Sequence, residues 1–152
     1  MRKKVLIVYK SIHNKNTEKI ANILGEILDG DTLRVEEIDH SILQDYDIIG
    51  FGSGIYFGKH HKSLFDFLER IDRMEKKAFI FSTRTLTPQT IAHKSLRREL
   101  TERGMEVIGE FSCKGESRVA PFKLFGGIYK GRPNEEDVQK AKIFAERLKN
   151  RL

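Results

Sequence analysis

Apolar runs of strand length alternate along this chain with segments whose apolar residues recur at helical spacing. Residues 5–8, Val-Leu-Ile-Val, are too short for a helix and rich in β-branched side chains, whereas Ile20, Leu24 and Leu28 mark one face of a helix. A short turn or helix fits between residues 38 and 46. The pattern predicts strands over residues 5–9, 33–38, 46–53, 78–83 and 107–113, and helices over residues 17–28, 62–71, 92–103 and 135–152.

The predicted strands differ in how far each is covered. The continuous apolar runs at 5–8 and 78–81 are typical of central strands buried on both faces, whereas residues 33–36 alternate as a more exposed strand does. Five strands separated by helices predict one doubly wound α/β domain over residues 1–152, a five-stranded parallel sheet with helices on both faces. In such a sheet the ligand lies beyond the carboxyl ends of the strands, where strand order reverses.

A polar loop joins the first predicted strand to the first predicted helix. The first N–H groups of a helix have no partner within it and lie at the positive end of its dipole, so hydroxyls and amides beside them can complete an anion site. A monoester phosphate would fit there. The alternative is that Ser and Asn side chains only cap the helix, as they commonly do. The polar residues of this loop are Ser11, His13, Asn14, Asn16 and Thr17.

Two further loops follow strands at the same edge. In the segment 46–58, glycines at 52, 54 and 58 allow close backbone approach or left-handed angles, and Tyr56 and Phe57 offer flat surfaces for an aromatic ligand. Tight turns and core packing are the alternative. The loop 82–87 has four hydroxyl side chains and Arg84, and serves either as a contact to a ligand's polar edge or as a plain connection.

Composition limits the functional classes. Lys and Arg number 28 against 22 Asp and Glu, a formal charge of +6, so an acidic partner or nucleic acid has to be considered. No apolar segment reaches membrane-spanning length and a single cysteine, Cys113, allows no internal disulfide, so we expect a cytoplasmic protein with a buried, inert thiol. His60 and His61 are adjacent, poorly placed to bind one metal, and are expected to be solvated residues at a helix start.

Three separated segments resemble the flavodoxin family. Residues 11–21 are similar to its phosphate loop, residues 46–63 to its second flavin loop, and residues 131–137 to the start of its last helix. The resemblance covers nearly the whole chain, with the three segments in the family's order. It implies the strand order 2-1-3-4-5, one FMN held without a covalent bond, and one-electron transfer in which no residue acts as a catalytic acid or base and no metal takes part.

The resemblance also implies a role for each loop. Many relatives have glycine where this chain has Lys15, so a left-handed angle there would strain the loop unless the lysine charge compensates at the phosphate. Tyr56 is the expected stacking ring. The implied phosphate residues are Ser11, Asn16 and Thr17 with His13, Asn14 and Lys15; those beside the isoalloxazine are Ser53, Gly54, Ile55, Tyr56, Phe57 and Gly58; those at the pyrimidine are Ser82, Thr83, Arg84 and Thr85.

The positive net charge is a second difference from the family, since flavodoxins are usually acidic. The resemblance implies a low-potential one-electron carrier, and a positive rim predicts a reduction potential that is raised relative to acidic flavodoxins. The same rim predicts redox partners with acidic docking faces. The protein itself is expected to be a monomer or a weak dimer.

Within the loops placed near the flavin, the cations, called here the basic rim, are expected to face Glu116 as the only acid. Asp39 and Asp45 are expected near the same edge, but beside the outer strand. The cations of the basic rim are Lys10, Lys15, Lys59, Lys62, Arg84, Lys114, Arg118, Lys123, Lys130 and Arg132.

Two other classes of function stay open. A flavodoxin-like FMN oxidoreductase, of the NAD(P)H:quinone reductase or protoporphyrinogen oxidase type, would need a substrate pocket that only the loop 114–132 could build. Aromatic residues of that loop either cover the flavin or pin the loop. The third class is a module that has lost its flavin and binds nucleic acid or an acidic protein, although the chain has no RNA-stacking motif or recognition helix and nucleic acid is not expected. The aromatic residues are Phe122, Phe125 and Tyr129.

Overall fold

The computed structural model describes residues 2–12, 15–116, 129 and 131–152 of the chain. Strands and helices alternate through the described residues as the sequence predicts. The strands are β1 (Val5–Lys10), β2 (Asp31–Arg34), β3 (Ile48–Tyr56), β4 (Lys59–His60), β5 (Lys77–Arg84) and β6 (Glu106–Lys114). The helices are α1 (Asn16–Leu28), α2 (Lys62–Glu69), α3 (Gln89–Ala92), α4 (Lys94–Glu102) and α5 (Glu135–Asn150), with 3₁₀ turns at Val35–Glu37 and His40–Asp45.

Five strands form a parallel path in the order β2-β1-β3-β5-β6. This order confirms the predicted doubly wound topology, because the five long strands taken in chain order give 2-1-3-4-5. The strand order reverses between β1 and β3, which places a ligand crevice at the carboxyl ends of these strands. The short β4 is an addition to the five predicted strands and pairs antiparallel with the end of β3.

Two apolar layers hold helices on opposite faces of the sheet. Alternate residues of β1 supply both, since successive strand residues point to opposite faces. Val5 and Ile7 join the layer beneath α1 and α5, while Leu6 and Val8 join the layer beneath α2 and α4. Residues 5–8 are therefore continuously apolar because β1 is buried on both faces, as the sequence predicts.

Glycines in β3 make room for aromatic rings of β5. A Cβ on Gly50 would lie 2.2 Å from the Phe79 ring, and one on Gly52 would lie 2.2 Å from the Phe81 ring. The expectation that Gly52 serves a left-handed angle or a bound ring is wrong, because its open side is filled by Phe81 and its backbone is extended in β3. Close sheet packing therefore requires these two positions to lack side chains.

The element bounds agree with the predictions to within three residues except at β2, and one predicted helix has a short helix before it. The strand predicted over 33–38 is β2 at Asp31–Arg34, and the chain then turns into a 3₁₀ helix that buries Val35. The helix predicted over 92–103 is α4 at Lys94–Glu102, and the short α3 precedes it with His93 between them. The predicted turn between residues 38 and 46 is confirmed as the second 3₁₀ helix.

The start of α5 is fixed by a reciprocal cap. The Asn134 side chain accepts from the Asp137 backbone N–H at 3.0 Å, and the Asp137 carboxylate accepts from the Asn134 N–H at 2.8 Å. Arg132 also donates to this buried carboxylate, at 2.8 Å from Nη2. Within the described part of the chain, none of the helices is both long and apolar enough to cross a membrane.

Candidate functional site

Parallel register brings the three predicted loops to one edge of the sheet. Lys10 of β1 pairs with Ser53 of β3, and Ser53 pairs with Ser82 of β5. Because these residues lie at the same level, the chain leaves β1, β3 and β5 side by side at their carboxyl ends. The sequence-predicted loops therefore lie together, and the edge they form is called the site edge below.

The first loop ends at a residue in the left-handed conformation. Lys15 has φ 57° and ψ 30°, and its side chain gives α1 no capping hydrogen bond. A left-handed residue followed by the helical Asn16 aligns successive backbone N–H groups as in an anion-binding nest. Ser11 does cap the first turn, since its Oγ accepts from the Glu18 N–H at 3.2 Å. His13 and Asn14 lie outside the described residues.

Two side chains tie the start of α1 to neighbouring strands. The Thr17 hydroxyl lies 2.8 Å from the Thr83 hydroxyl, and both residues are buried. Asn16 Nδ2 donates to the Glu116 carbonyl at 2.9 Å, next to Gly115, where a Cβ would lie 2.9 Å from that same nitrogen. The first loop is thereby fixed to the ends of β5 and β6, a pair of contacts that the sequence did not indicate.

The acidic residue in the first turn of α1 is turned toward β2. Glu18 Oε1 accepts from the Tyr9 hydroxyl at 2.7 Å and lies 3.7 Å from the Arg34 guanidinium. Burial and this carboxylate raise the pKa of Tyr9. The Glu18 charge is compensated by Arg34, so it opposes an anion at the helix start less than an unpaired carboxylate would.

The second loop is a two-residue β-hairpin. Ile55 pairs with His60 and Tyr56 with Lys59, which leaves Phe57 and Gly58 at the tip. Both tip residues have positive φ, 52° and 82°, as a type I′ turn requires. Gly58 therefore meets the sequence expectation of a left-handed glycine, whereas Phe57 adopts this angle with a bulky side chain that is fully exposed.

Tyr56, the ring expected to stack on the flavin, packs against residues of its own hairpin and of the start of α2. Its hydroxyl is 3.0 Å from the position of a Cβ on Gly54, and its ring meets the His61 ring edge to face at 5.2 Å. Burial raises the pKa of Tyr56 to about 12. Gly54 is thus an extended residue whose missing side chain accommodates Tyr56. The Ser53 hydroxyl accepts from the His61 N–H at 2.9 Å and donates to the Gly54 carbonyl at 2.6 Å.

The third loop places its first two hydroxyls inside the protein. Ser82 Oγ lies 2.7 Å from His93 Nε2 on one face of the sheet, and Thr83 contacts Thr17 on the other. Arg84 Nε donates to Ser112 Oγ at 2.8 Å, and the Thr85 carbonyl accepts from Lys114 Nζ at 2.8 Å. These side-chain contacts stabilise the third loop.

One expectation for the histidines is wrong. His60 is buried and its Nε2 lies 2.9 Å from the Phe81 carbonyl, because β4 turns it under the site edge. Its Nδ1 has no hydrogen-bond partner within the described residues. His61 does lie at a helix start, where Nδ1 accepts from the Ser63 N–H at 3.0 Å and caps α2. No strand of two residues is visible in the sequence pattern, so the burial of His60 was not predictable from it.

Cys113 fulfils the expectation of a buried thiol. Burial raises the pKa of Cys113 to about 12, so the thiol stays protonated at neutral pH.

The basic rim is more neutral than expected. Lys10 pairs with Glu36, Lys62 with Asp66 at 3.1 Å, and Arg132 with Asp137. The expectation that Glu116 is the only acid at this rim is therefore wrong, because three further carboxylates lie there. They come from the first 3₁₀ helix, α2 and α5, and are Glu36, Asp66 and Asp137. Lys15 and Lys59 are exposed, and Lys114 Nζ lies 5.1 Å from the Tyr129 ring centre. Outside the described residues lie the expected rim members Arg118, Lys123 and Lys130 and the loop aromatics Phe122 and Phe125.

A parallel sheet in this order, with three polar loops at its carboxyl edge, defines an α/β protein of the flavodoxin type. The family model for the flavodoxin domain matches residues 6–130. The chain therefore belongs to the flavodoxin domain family.

Known proteins of similar sequence and structure agree with this assignment. An uncharacterised protein of Methanocaldococcus jannaschii is 53% identical over 146 residues, which cover 95% of this chain and 97% of that protein. A flavodoxin from the domain Archaea superposes with a TM-score of 0.74 at 16% identity, covering 97% of each chain. Oxidised flavodoxin 2 from Bacillus cereus superposes with a TM-score of 0.71 at 25% identity, covering 98% of this chain and 99% of its own.

The left-handed angle at Lys15 predicts a specific stability ranking. Lys15→Gly should raise the free energy of unfolding by about 0.5–1 kcal/mol, since glycine avoids the left-handed cost but loses more backbone entropy. Lys15→Ala removes the same charge and keeps the angle, so it is the matched control and should change stability by less than about 0.5 kcal/mol. Urea denaturation in anion-poor buffer measures both. An alanine variant at least as stable as the glycine variant would contradict the strain at this position.

The burial of His60 predicts a stability that falls with acidification. Burial lowers the pKa of His60 to about 3, while an unfolded chain has the ordinary value of 6.5. Between these values the unfolded state binds a proton that the native state does not, so His60 costs about 1.4 kcal/mol of stability for each pH unit below 6.5. His60→Gln should remove this component and flatten the decline between pH 6.5 and 4.5 in urea titrations. At pH 8 residue 60 is uncharged in both the wild type and the variant, so the difference between their free energies of unfolding at this pH is the reference. If the two free energies fall in parallel with pH throughout, the assignment is refuted.

Proposed function

We propose that this chain binds one FMN without a covalent bond and carries single electrons between redox proteins. The observation that supports this best is the meeting of a helix-start anion cradle and an aromatic hairpin on adjacent strands β1 and β3 at the site edge. One group bearing both a phosphate and a flat ring matches that pair of features. When bound, FMN supplies the chemistry of accepting and donating one electron at a time.

The cradle residues suit a phosphate dianion. The nest at Lys15 and Asn16 directs backbone N–H groups beyond the start of α1, where the helix dipole also favours negative charge. Lys15 is exposed there, and its ammonium adds a full positive charge that a glycine would lack. In the Thr17–Thr83 pair one hydroxyl donates to the other, so the second keeps a hydrogen to donate to the phosphate.

The hairpin residues suit the ring system. Phe57 at the tip is fully exposed, and Tyr56 behind it is half-buried and held by Gly54 and His61. Both rings lie on the strand that adjoins the cradle, and apolar rings exclude water from a flat ligand. Tyr56, Phe57 and the extended backbone 53–58 would hold one side of the ring, and the backbone of residues 82–85 would meet its polar edge.

Acidic redox partners are the second part of the proposal. Lys15 of the first loop, Lys59 of the hairpin and Lys62 at the start of α2 are exposed, and of these Lys62 forms an ion pair with Asp66. An exposed apolar hairpin tip on an edge that also carries exposed lysines fits a partner whose own redox edge is apolar at the centre and acidic around it. Partner steering by such a surface weakens as salt increases.

The cofactor proposal has a direct test. Apoprotein mixed with FMN should quench flavin fluorescence with a dissociation constant at or below the micromolar range, and riboflavin, which lacks the phosphate, should bind at least about tenfold more weakly because the cradle loses its ligand. Lys15→Glu should weaken FMN binding about tenfold or more and leave riboflavin unchanged. The matched control is Lys149→Glu at the far end of α5.

Two results would overturn the cofactor proposal. Equal affinities for FMN and riboflavin would exclude the phosphate cradle, and no binding of either would exclude a flavin protein. Turnover of NADPH with a quinone by the loaded protein alone would favour the oxidoreductase alternative over the electron carrier.

The partner proposal predicts opposite salt effects on two acceptors. Electron transfer from the reduced, FMN-loaded protein to acidic cytochrome b5 should slow as salt increases, and transfer to basic cytochrome c should not. Lys59→Glu should lower the rate with cytochrome b5 several-fold at low salt, while Lys149→Glu serves as the distant charge control. Stopped-flow spectroscopy of the cytochrome band measures each rate. Rates to cytochrome b5 that ignore ionic strength would refute an acidic docking face.

A further inference from the structure

A buried chain of hydrogen bonds leads from the third loop to the protein surface. Ser82 Oγ lies 2.7 Å from His93 Nε2, and His93 Nδ1 lies 3.0 Å from Glu110 Oε1. Arg97 donates two hydrogen bonds to the same carboxylate, at 2.8 Å from Nε and 2.7 Å from Nη2. Ser82 and His93 are fully buried, whereas the Arg97 side chain is 40% exposed. Neither the family resemblance nor the proposed electron transfer uses His93, Glu110 or Arg97.

The bond pattern defines the proton positions in this chain. Burial alone would raise the pKa of Glu110, but the bonds from Arg97 and His93 outweigh it and hold that pKa below its ordinary value. An ionised carboxylate only accepts, so neutral His93 has its hydrogen on Nδ1 and an unprotonated Nε2. The Ser82 hydroxyl therefore donates to Nε2, and its direction is fixed by the state of His93.

We propose that His93 is a redox-linked proton-binding residue, which takes up a proton when negative charge accumulates at the carboxyl end of β5. This inference rests on the proposed function, because reduction of bound FMN is the source of that charge. FMN held at this edge would take its electron from a donor protein, and His93 Nε2 would bind one proton from bulk water. The Ser82 O–H bond stays intact, and the hydroxyl rotates from donating to Nε2 to accepting from it.

Opposing charges around His93 make it sensitive to one added charge. Burial lowers the pKa of His93, the bond to Glu110 raises it, and Arg97 and Arg84 lower it. The facing groups are Glu110 from β6, Arg97 from α4, Arg84 from β5 and His60 from β4. A negative charge at the end of β5 adds to the influence of Glu110 and favours the protonated ring.

His60 lies too close to be ignored, and it is the less suitable proton acceptor. Its ring centre is 5.0 Å from that of His93, and it lacks any carboxylate bond among the described residues. Burial together with repulsion from His93 keeps its pKa near 3. A proton entering this pair is therefore held by His93, whose Nδ1 faces the Glu110 carboxylate.

Linkage makes the effect reciprocal. If reduction raises the proton affinity of His93, a protonated His93 raises the electron affinity of the flavin by the same factor. Acidification should then make the bound flavin easier to reduce over the pH range in which His93 titrates. The protein would thereby adjust the potential through a residue of its own core.

Nitrogen NMR of ¹⁵N-histidine-labelled protein tests the inference directly. In the apoprotein, His93 should be neutral with its hydrogen on Nδ1. Between the oxidised and reduced FMN-loaded forms, its proton affinity should rise at least tenfold, seen as a shift of its titration to higher pH. His93→Gln should remove the part of the proton uptake on reduction that the wild-type His93 titration accounts for, measured with an indicator dye in weakly buffered solution. It should also make the midpoint potential less dependent on pH. His40→Gln, which removes a histidine stacked on Phe67 away from β5, is the matched control.

The outcomes separate this inference from the proposed function. A protein that binds FMN and shows the same His93 titration when oxidised and reduced overturns the inference alone. A protein that binds no FMN overturns the proposed function and the inference with it. The measurement on the wild-type protein decides the inference even if His93→Gln does not fold.

Discussion

Parallel pairing of β1, β3 and β5 in a single register is the constraint on which the rest of this structure depends. The ladder that joins Val5 to Ile48 and Ile48 to Lys77 also sets Lys10, Ser53 and Ser82 at one level. Any shift of one strand by a single residue would reverse the faces of its side chains. The two apolar layers, the glycine and phenylalanine contacts and the meeting of three loops all follow from that one alignment.

Close contact between β3 and β5 protects the alignment. The rings of Phe79 and Phe81 fill the space that side chains at Gly50 and Gly52 would need. Large residues on β5 therefore pack against glycines on β3. Packing of this kind has little tolerance for a change of even one methyl group. The site edge therefore rests on a rigid support, while the functional groups lie on loops beyond it.

The sequence predicts the parts of the fold that depend on local periodicity. The runs at 5–8 and 78–81 are strands because both faces are buried, and the order of elements defines the sheet. Sequence-based prediction fails where tertiary contacts determine the secondary structure. The strand β2 ends at Arg34 although an apolar residue follows at Val35. The two-residue β4 exists only through its pairing with β3. Of the site, the loops and the left-handed Lys15 were predictable, whereas bonds between distant residues such as Ser82 and His93 leave no local pattern.

The bond from Asn16 to the Glu116 carbonyl joins residues that are 100 positions apart in the chain. During synthesis the N-terminal half of the molecule emerges from the ribosome first, with its helix start and its first loop already made. The hydrogen bond from Asn16 to the Glu116 carbonyl can form only after β6 and the two residues beyond it have emerged. The brace between α1 and the end of β6 is consequently complete only after most of the polypeptide has been translated.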